Sequence, residues 1–148
     1  MTAALDWISN FLYAAILAGV PLLFGTLGEI LTEKAGNINL GVEGMMYMGA
    51  VFGFMGAYYL DSAIATLLFA FLGGLGGALV YAFLTVTLKA NQNVAGLTLT
   101  IFGTGLANLL GTNMINGSGS GAAMVSDAMK AFFRPMDMGA LTAIPYLG

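Results

Sequence analysis

The sequence predicts an all-α, polytopic membrane protein: about four transmembrane helices, with a polar break between the first two. Three observations predict it. Of the 148 residues, 59% are hydrophobic and only 7% charged, where soluble domains carry about 25% charged residues. The mean hydropathy is +0.90. Apolar runs also recur between short polar junctions, and each run reaches the roughly 20 residues that a spanning helix takes. So few charges cannot coat a water-facing globule, and the length suits a single transmembrane domain.

The first span is expected at about 5–31. Trp7 suits the aromatic belt at a membrane surface. Pro21 falls well inside and is expected to bend the helix, a feature membranes tolerate when neighbours satisfy the freed carbonyl. Gly36 then ends the helix. The opening MTAALDWISN lacks the basic region of a signal peptide, so this segment is expected to stay as a span.

The second span is expected at about 41–59, entered near Asn39 as N-cap. Glu43 lies in its first turn, where the helix dipole favours a carboxylate. Gly49 and Gly53 form a GxxxG pair that admits another helix closely. After the Asp61-Ser62 turn, the third span is expected at about 64–88. Its glycines, Gly73, Gly74, Gly76 and Gly77, mark tight helix packing.

The fourth span is expected at about 94–111, with Asn93 as its cap. Thr100, Thr104, Asn108 and Thr112 recur every fourth residue and share one helical face. Gly103, Ala107 and Gly111 form a small-residue stripe beside them. An external loop and interfacial helix are expected over 112–140. Within it, NGSGSGAAMVS at 116–126 reads as flexible. Residues 127–134 alternate charges with Met129, Phe132 and Phe133, as a helix lying in the interface does. Pro135 is expected to stop that helix. The chain closes without a polar tail, as though another span were about to start, and reads as a truncated chain.

Two polar junctions stand out. The first, GEILTEKAGNINLGVEG at 28–44, carries Glu29, Glu33, Lys34, Asn37, Asn39 and Glu43. Glycine-broken backbone cannot lie bare in lipid, where each unsatisfied polar group costs several kcal/mol, so the junction faces an interface, protein or a water-filled cavity. Glu29 and Glu33 are spaced i,i+4, repel by a few tenths of a kcal/mol, and sit where the helix dipole disfavours anions. These mild penalties point to a partner: Lys34, a lipid headgroup, or a basic surface on another subunit. A solvated helix end is the plainer account. The run from Asn37 to Glu43 reads either as a capped turn or as a discontinuous-helix site of the transporter kind.

The second junction is Asn91-Gln92-Asn93. It reads as an interfacial turn or as part of a site. The hydroxyls of span 4 have two readings as well: bonds back to their own helix, or a pathway lining formed by Thr100, Thr104 and Asn108.

Several classes are excluded. A net charge of −3 gives no basic patch for nucleic acid. The absence of Cys and His removes thiolate sites and the commonest neutral-pH acid–base group. Ten Met residues read as adaptable packing rather than as a metal site, and no metal or other cofactor is expected. No nucleophile–base pair is visible and no GxxxxGK[ST] loop is present, so the chain is not expected to be an enzyme.

Lys34 and Lys89 fall at the ends of spans 1 and 3, on one side of four alternating spans. The positive-inside rule then puts both junctions in the cytoplasm and the N-terminus outside. Lys130 and Arg134 lie outside in that arrangement, accompanied by Asp127 and Asp137.

The blocks GEILTEKAGNINLGVEGMMYMGAVFGF and LKANQNVAGLTLTIFGTGL together resemble the permease subunits of bacterial ATP-binding-cassette importers for nucleosides and simple sugars. Those belong to the same broad group as the ribose and branched-chain amino-acid permeases. The resemblance covers most of the first 110 residues, and its more specific part is 28–46. It implies a transmembrane subunit of the bacterial inner membrane that moves a small neutral polar solute by alternating access. It also implies a separate ABC ATPase subunit, a second permease subunit and an external substrate-binding protein.

Residue by residue, the stretch from Glu29 to Glu43 matches the family's helix-break motif, and 91–93 its next polar boundary. Family members are about twice as long, and their later half carries the segment that docks on the ATPase. The sequence therefore reads as an N-terminal half, unable by itself to couple ATP hydrolysis to transport. Two other readings are a self-contained four-helix transporter or channel acting as a homo-oligomer, and a non-conducting scaffold subunit.

Overall fold

The structure is a computed structural model that describes residues 2–119 and 122–134. Among these, five α-helices follow one another: α1 Thr2–Lys34, α2 Val42–Leu60, α3 Ala63–Ala82, α4 Gln92–Gly117 and the short α5 Asp127–Phe132. A π-helical turn, Phe83–Thr87, extends α3. No strand occurs among the described residues. Pro135 and the closing residues 144–148 lie outside the described residues, as does Asp137.

Three stretches are long and apolar enough to cross a membrane: Asp6–Lys34, Ala63–Thr87 and Gln92–Gly117. The expected second span, α2, is not among them. It carries Glu43 and intersperses Gly44, Gly49, Gly53 and Gly56 with Tyr47, Tyr58 and Tyr59. Those glycines serve packing. α2 is the helix the others gather on, packing most extensively on α3 and next on α4. Small residues replace lipid-facing bulk on a helix wrapped by its neighbours.

The contacts are close. A Cβ on Gly44 would lie 2.7 Å from Thr100 Cα, and one on Gly103 would lie 2.7 Å from Gly44 Cα. A Cβ on Gly96 would sit 2.9 Å from the backbone nitrogens of Leu40 and Gly41. These glycines set the α2–α4 crossing. Against α3, Gly49 and Gly53 face Ala70, while Gly73 of α3 faces Met48 and Phe52. A small apolar core of Tyr81, Ala95 and Leu99, with Met45 and Leu84 against it, lies at one end. Outside it the surface is apolar: Leu23, Phe71, Ile101 and many like them are exposed. That is the distribution of a protein whose solvent is lipid.

α1 runs unbroken through Pro21, whose missing N–H interrupts one rung of the ladder without ending it. The ends of the helices depart from the sequence reading in three places. α2 is capped by Gly41 and not by Asn39. The Asn39 side chain instead accepts from the Gly41 N–H at 3.0 Å, closing a local turn two residues ahead of the helix. Asn91, not Asn93, caps α4: with φ −61° and ψ 121° it is extended, and its Oδ1 accepts from the N–H groups of Asn93 and Val94. α4 continues past Gly111 to Gly117, because Met114 is buried and holds the extra turns against the protein.

The packing stripe of α4 also shifts. Of its two glycines, Gly103 is a contact point, while a Cβ on Gly111 would meet open space. The buried stripe is Ala95, Gly96, Leu99 and Gly103.

Candidate functional site: a strapped loop at the end of the bundle

The α1–α2 connection, residues 35–41, begins with a helix stop of the Schellman kind. The Gly36 N–H donates to Glu33 O at 2.9 Å and the Asn37 N–H to Thr32 O at 3.0 Å. Gly36 has φ +86°, which a residue without Cβ adopts freely.

Beyond Gly36 the backbone is held by side chains from three other helices. Gln92, at the start of α4, accepts from the Ile38 N–H through Oε1 at 2.9 Å. Its Nε2 donates to Asn37 Oδ1 at 2.9 Å and to Gly36 O at 3.3 Å. The Tyr81 hydroxyl of α3 donates to Ile38 O at 2.6 Å, and the Thr100 hydroxyl of α4 donates to Leu40 O at 2.9 Å. From α1, Glu29 Oε1 accepts from the Asn39 N–H at 2.8 Å. Glu29 Oε2 in turn accepts from the Thr32 hydroxyl at 3.0 Å. Irregular backbone at the end of a membrane bundle needs partners of this kind, and here they come from uncharged side chains and one carboxylate.

The two polar junctions are thus one structure, joined through Gln92. The carboxylates are spread by role. Glu29 is half-buried and bonded, while Glu33, Lys34 and Glu43 are exposed. The partner of Glu29 is the loop's own backbone rather than Lys34. Glu29, Glu33 and Glu43 line one cleft of about 300 Å³ with Thr26, Ile38, Asn39 and Leu40. Among the described residues no group of acidic side chains is placed to hold a metal ion. Asn39 is 5% exposed, and its Nδ2 contacts Met45 Sδ at 3.8 Å.

On α4, Thr100 is spent on Leu40. Thr104 donates back to Thr100 O at 2.8 Å, within its own helix. Asn108 is exposed, and the Asn91 cap accepts from the N–H of Asn93. Sequence reasoning missed Tyr81 as a loop partner. Its signal was a hydroxyl in an otherwise aliphatic stretch, since a buried Tyr O–H finds an acceptor.

At the opposite end, the Ser126 hydroxyl donates to the Asp61 carboxylate and also caps α5. Asp61 has φ +44°. Met129 is buried, while Phe132 and Phe133 are exposed beside Lys130 and Arg134.

Comparison with known proteins adds the lineage. The Haloferax volcanii protein named as a glucose ABC transporter permease, TsgC13, is 38% identical over 122 residues, 79% of this chain and 36% of that one. The guanosine ABC transporter permease NupQ of Bacillus subtilis is 27% identical over 147 residues, 95% of this chain and 44% of its own length. The nucleoside ABC transporter permease NupC of Lactococcus lactis is 33% identical over 102 residues, 64% of this chain and 32% of its own. The chain therefore spans less than half the length of the curated relatives it matches. No solved structure matches it. Residues 10–142 match the family described as the permease component of branched-chain amino acid transport systems, and the chain belongs to that family.

Proposed function

We propose that this chain forms part of the transmembrane permease of an ATP-binding-cassette importer. It carries a small neutral polar solute, a nucleoside or simple sugar, across the cytoplasmic membrane by alternating access. The observation that carries this reading is that relatives similar over most of the chain are named as sugar and nucleoside permeases. The polar groups offered by the helices agree with it: hydroxyls and amides with few charges, which suit a neutral solute better than an ion. The permease does no covalent chemistry. ATP hydrolysis belongs to a separate ATPase subunit, a second permease subunit completes the pathway, and an external binding protein delivers the solute. Thr100, Thr104 and Asn108 lie along one face of α4 as lining candidates, and Glu33, Lys34 and Glu43, exposed around the strapped loop, are the partner-contact candidates.

The test is uptake by the intact permease, reconstituted in proteoliposomes with its cognate ATPase and binding protein. Labelled glucose and a panel of nucleosides are supplied outside. Accumulation of at least one of them that requires both ATP and the ATPase is expected. Uptake that proceeds equally without the ATPase, or a complete complex that moves none of these solutes, contradicts the reading.

A further inference from the structure

The strapped loop divides the molecule unequally. On one side, α2, α3 and α4 interlock: glycine backbones meet at the α2–α4 crossing, α3 lies along α2, and Tyr81, Gln92 and Thr100 bind the loop to α3 and α4. On the other side stands α1. Its most apolar 18-residue window has no buried residue, and of the other helices it touches chiefly α2, at few points. Gly25 is its closest approach among the glycines, facing Val42 and Met46. A groove of about 520 Å³ separates α1 from α2 and α3, lined by Phe24, Gly28, Met45, Gly49 and Gly74 among others.

Three things join α1 to the rest at its loop end. One is the chain itself, which leaves the helix through Gly36 in the left-handed region, and another is the helix-stop bond that the Asn37 N–H makes across Gly36 to Thr32 O. The third is Glu29, whose carboxylate holds the Asn39 N–H and is steadied by Thr32.

We propose that α1 is a movable arm hinged at Gly36, and that Glu29 is the latch fixing its angle to an otherwise rigid block. The partner of the latch, the Asn39 N–H, cannot follow the arm. Its neighbours Ile38 and Leu40 are pinned by Gln92, Tyr81 and Thr100, so releasing Glu29 leaves α1 held to the loop by the helix-stop bonds around Gly36 alone. Swinging α1 widens or closes the groove beside α2 and α3 along its length. The latch is a property of the helices whether or not a solute crosses, so it stands apart from the transport reading.

The chain has no cysteine, which makes spin labelling direct. Pairs are placed at exposed positions in the full chain in lipid nanodiscs. Leu17→Cys with Leu79→Cys reads α1 against α3, and Leu79→Cys with Leu97→Cys reads α3 against α4. In each, the distance distribution is measured with Glu29 intact and as Glu29→Ala, Glu29→Asp and Glu29→Gln. Glu29→Asp keeps the charge but stops one methylene short of the Asn39 N–H, so it serves where Glu29→Ala fails to assemble.

The expected result is a broadened α1–α3 distribution in the Ala and Asp variants, an unchanged α3–α4 distribution, and a narrow α1–α3 distribution for Gln, whose Oε1 still accepts the bond. An α1–α3 distribution that stays narrow without the latch overturns the proposal. So does broadening of both pairs together, which makes Glu29 a support of the whole bundle.

Discussion

The two peptide units around Ile38 are each claimed by a different helix, the N–H by Gln92 of α4 and the C=O by Tyr81 of α3. An unmade bond here leaves a polar group against apolar neighbours, which costs about 1–3 kcal/mol. Tyr81→Phe removes only the hydroxyl, and a destabilisation of about 1–3 kcal/mol is expected in reversible detergent unfolding. Gln92→Ala removes three bonds to the loop, and amides 37–39 are expected to lose hydrogen-exchange protection while those of α2 keep theirs. Equal loss in both segments would show that the loop and α2 open as one unit.

The polarity of Gln92 was legible in the sequence, as was that of the whole 28–44 junction. Its pairing was not, because Gln92 and Ile38 are 54 positions apart, and single-chain spacing carries no such information. Caps were misplaced by two residues for a local reason. Asn39 and Asn91 are both good cap residues, but only Asn91 sits extended directly ahead of its helix, while the Asn39 side chain closes on the Gly41 N–H before α2 begins.

At the scale of the helices, glycine content announced close packing but left the contact points open. Gly49 and Gly53 do meet α3. On α4 the spacing of Gly103, Ala107 and Gly111 suggested one stripe, yet the contacts fall at Gly96 and Gly103, two turns apart on the same face. Both patterns satisfy helical periodicity, and only the position of α2 selects between them.

The difference is measurable. Gly103→Val forces a branched side chain against the backbone of Gly44 and is expected to destabilise by about 1–3 kcal/mol or more. Gly111→Val faces open space and should stay within about 0.5 kcal/mol of the parent. Comparable losses at both sites would mean that α4 packs along a different face. The length of α4 was underestimated because Gly111 and Thr112 look like an end. Burial of Met114 overrides that local weakness.

For the molecule as a whole, the membrane class followed from composition, because charge content and apolar surface are set by the solvent rather than by topology. The enclosed position of α2 did not stand out, since a helix enclosed by its neighbours and one facing lipid differ in sequence mainly by small residues. If the α4 face forms part of a solute pathway, Thr104→Val combined with Asn108→Leu should lower uptake by about tenfold through two lost hydrogen-bonding groups. Unaltered uptake would move the pathway elsewhere.

The two polar junctions form a single unit that faces water or protein at one end of the bundle, and the placement of the strapped loop rests on that union. Ile38 binds through its backbone and leaves its side chain 48% exposed, and Asn93 is exposed at the start of α4, so Ile38→Cys and Asn93→Cys leave the strap intact. Labelling each single-cysteine chain with a membrane-impermeant maleimide, from either face of sealed vesicles, tests the unit directly. Reaction of both from the same face is the outcome the account requires; reaction from opposite faces, or only with reagents that dissolve in lipid, contradicts it.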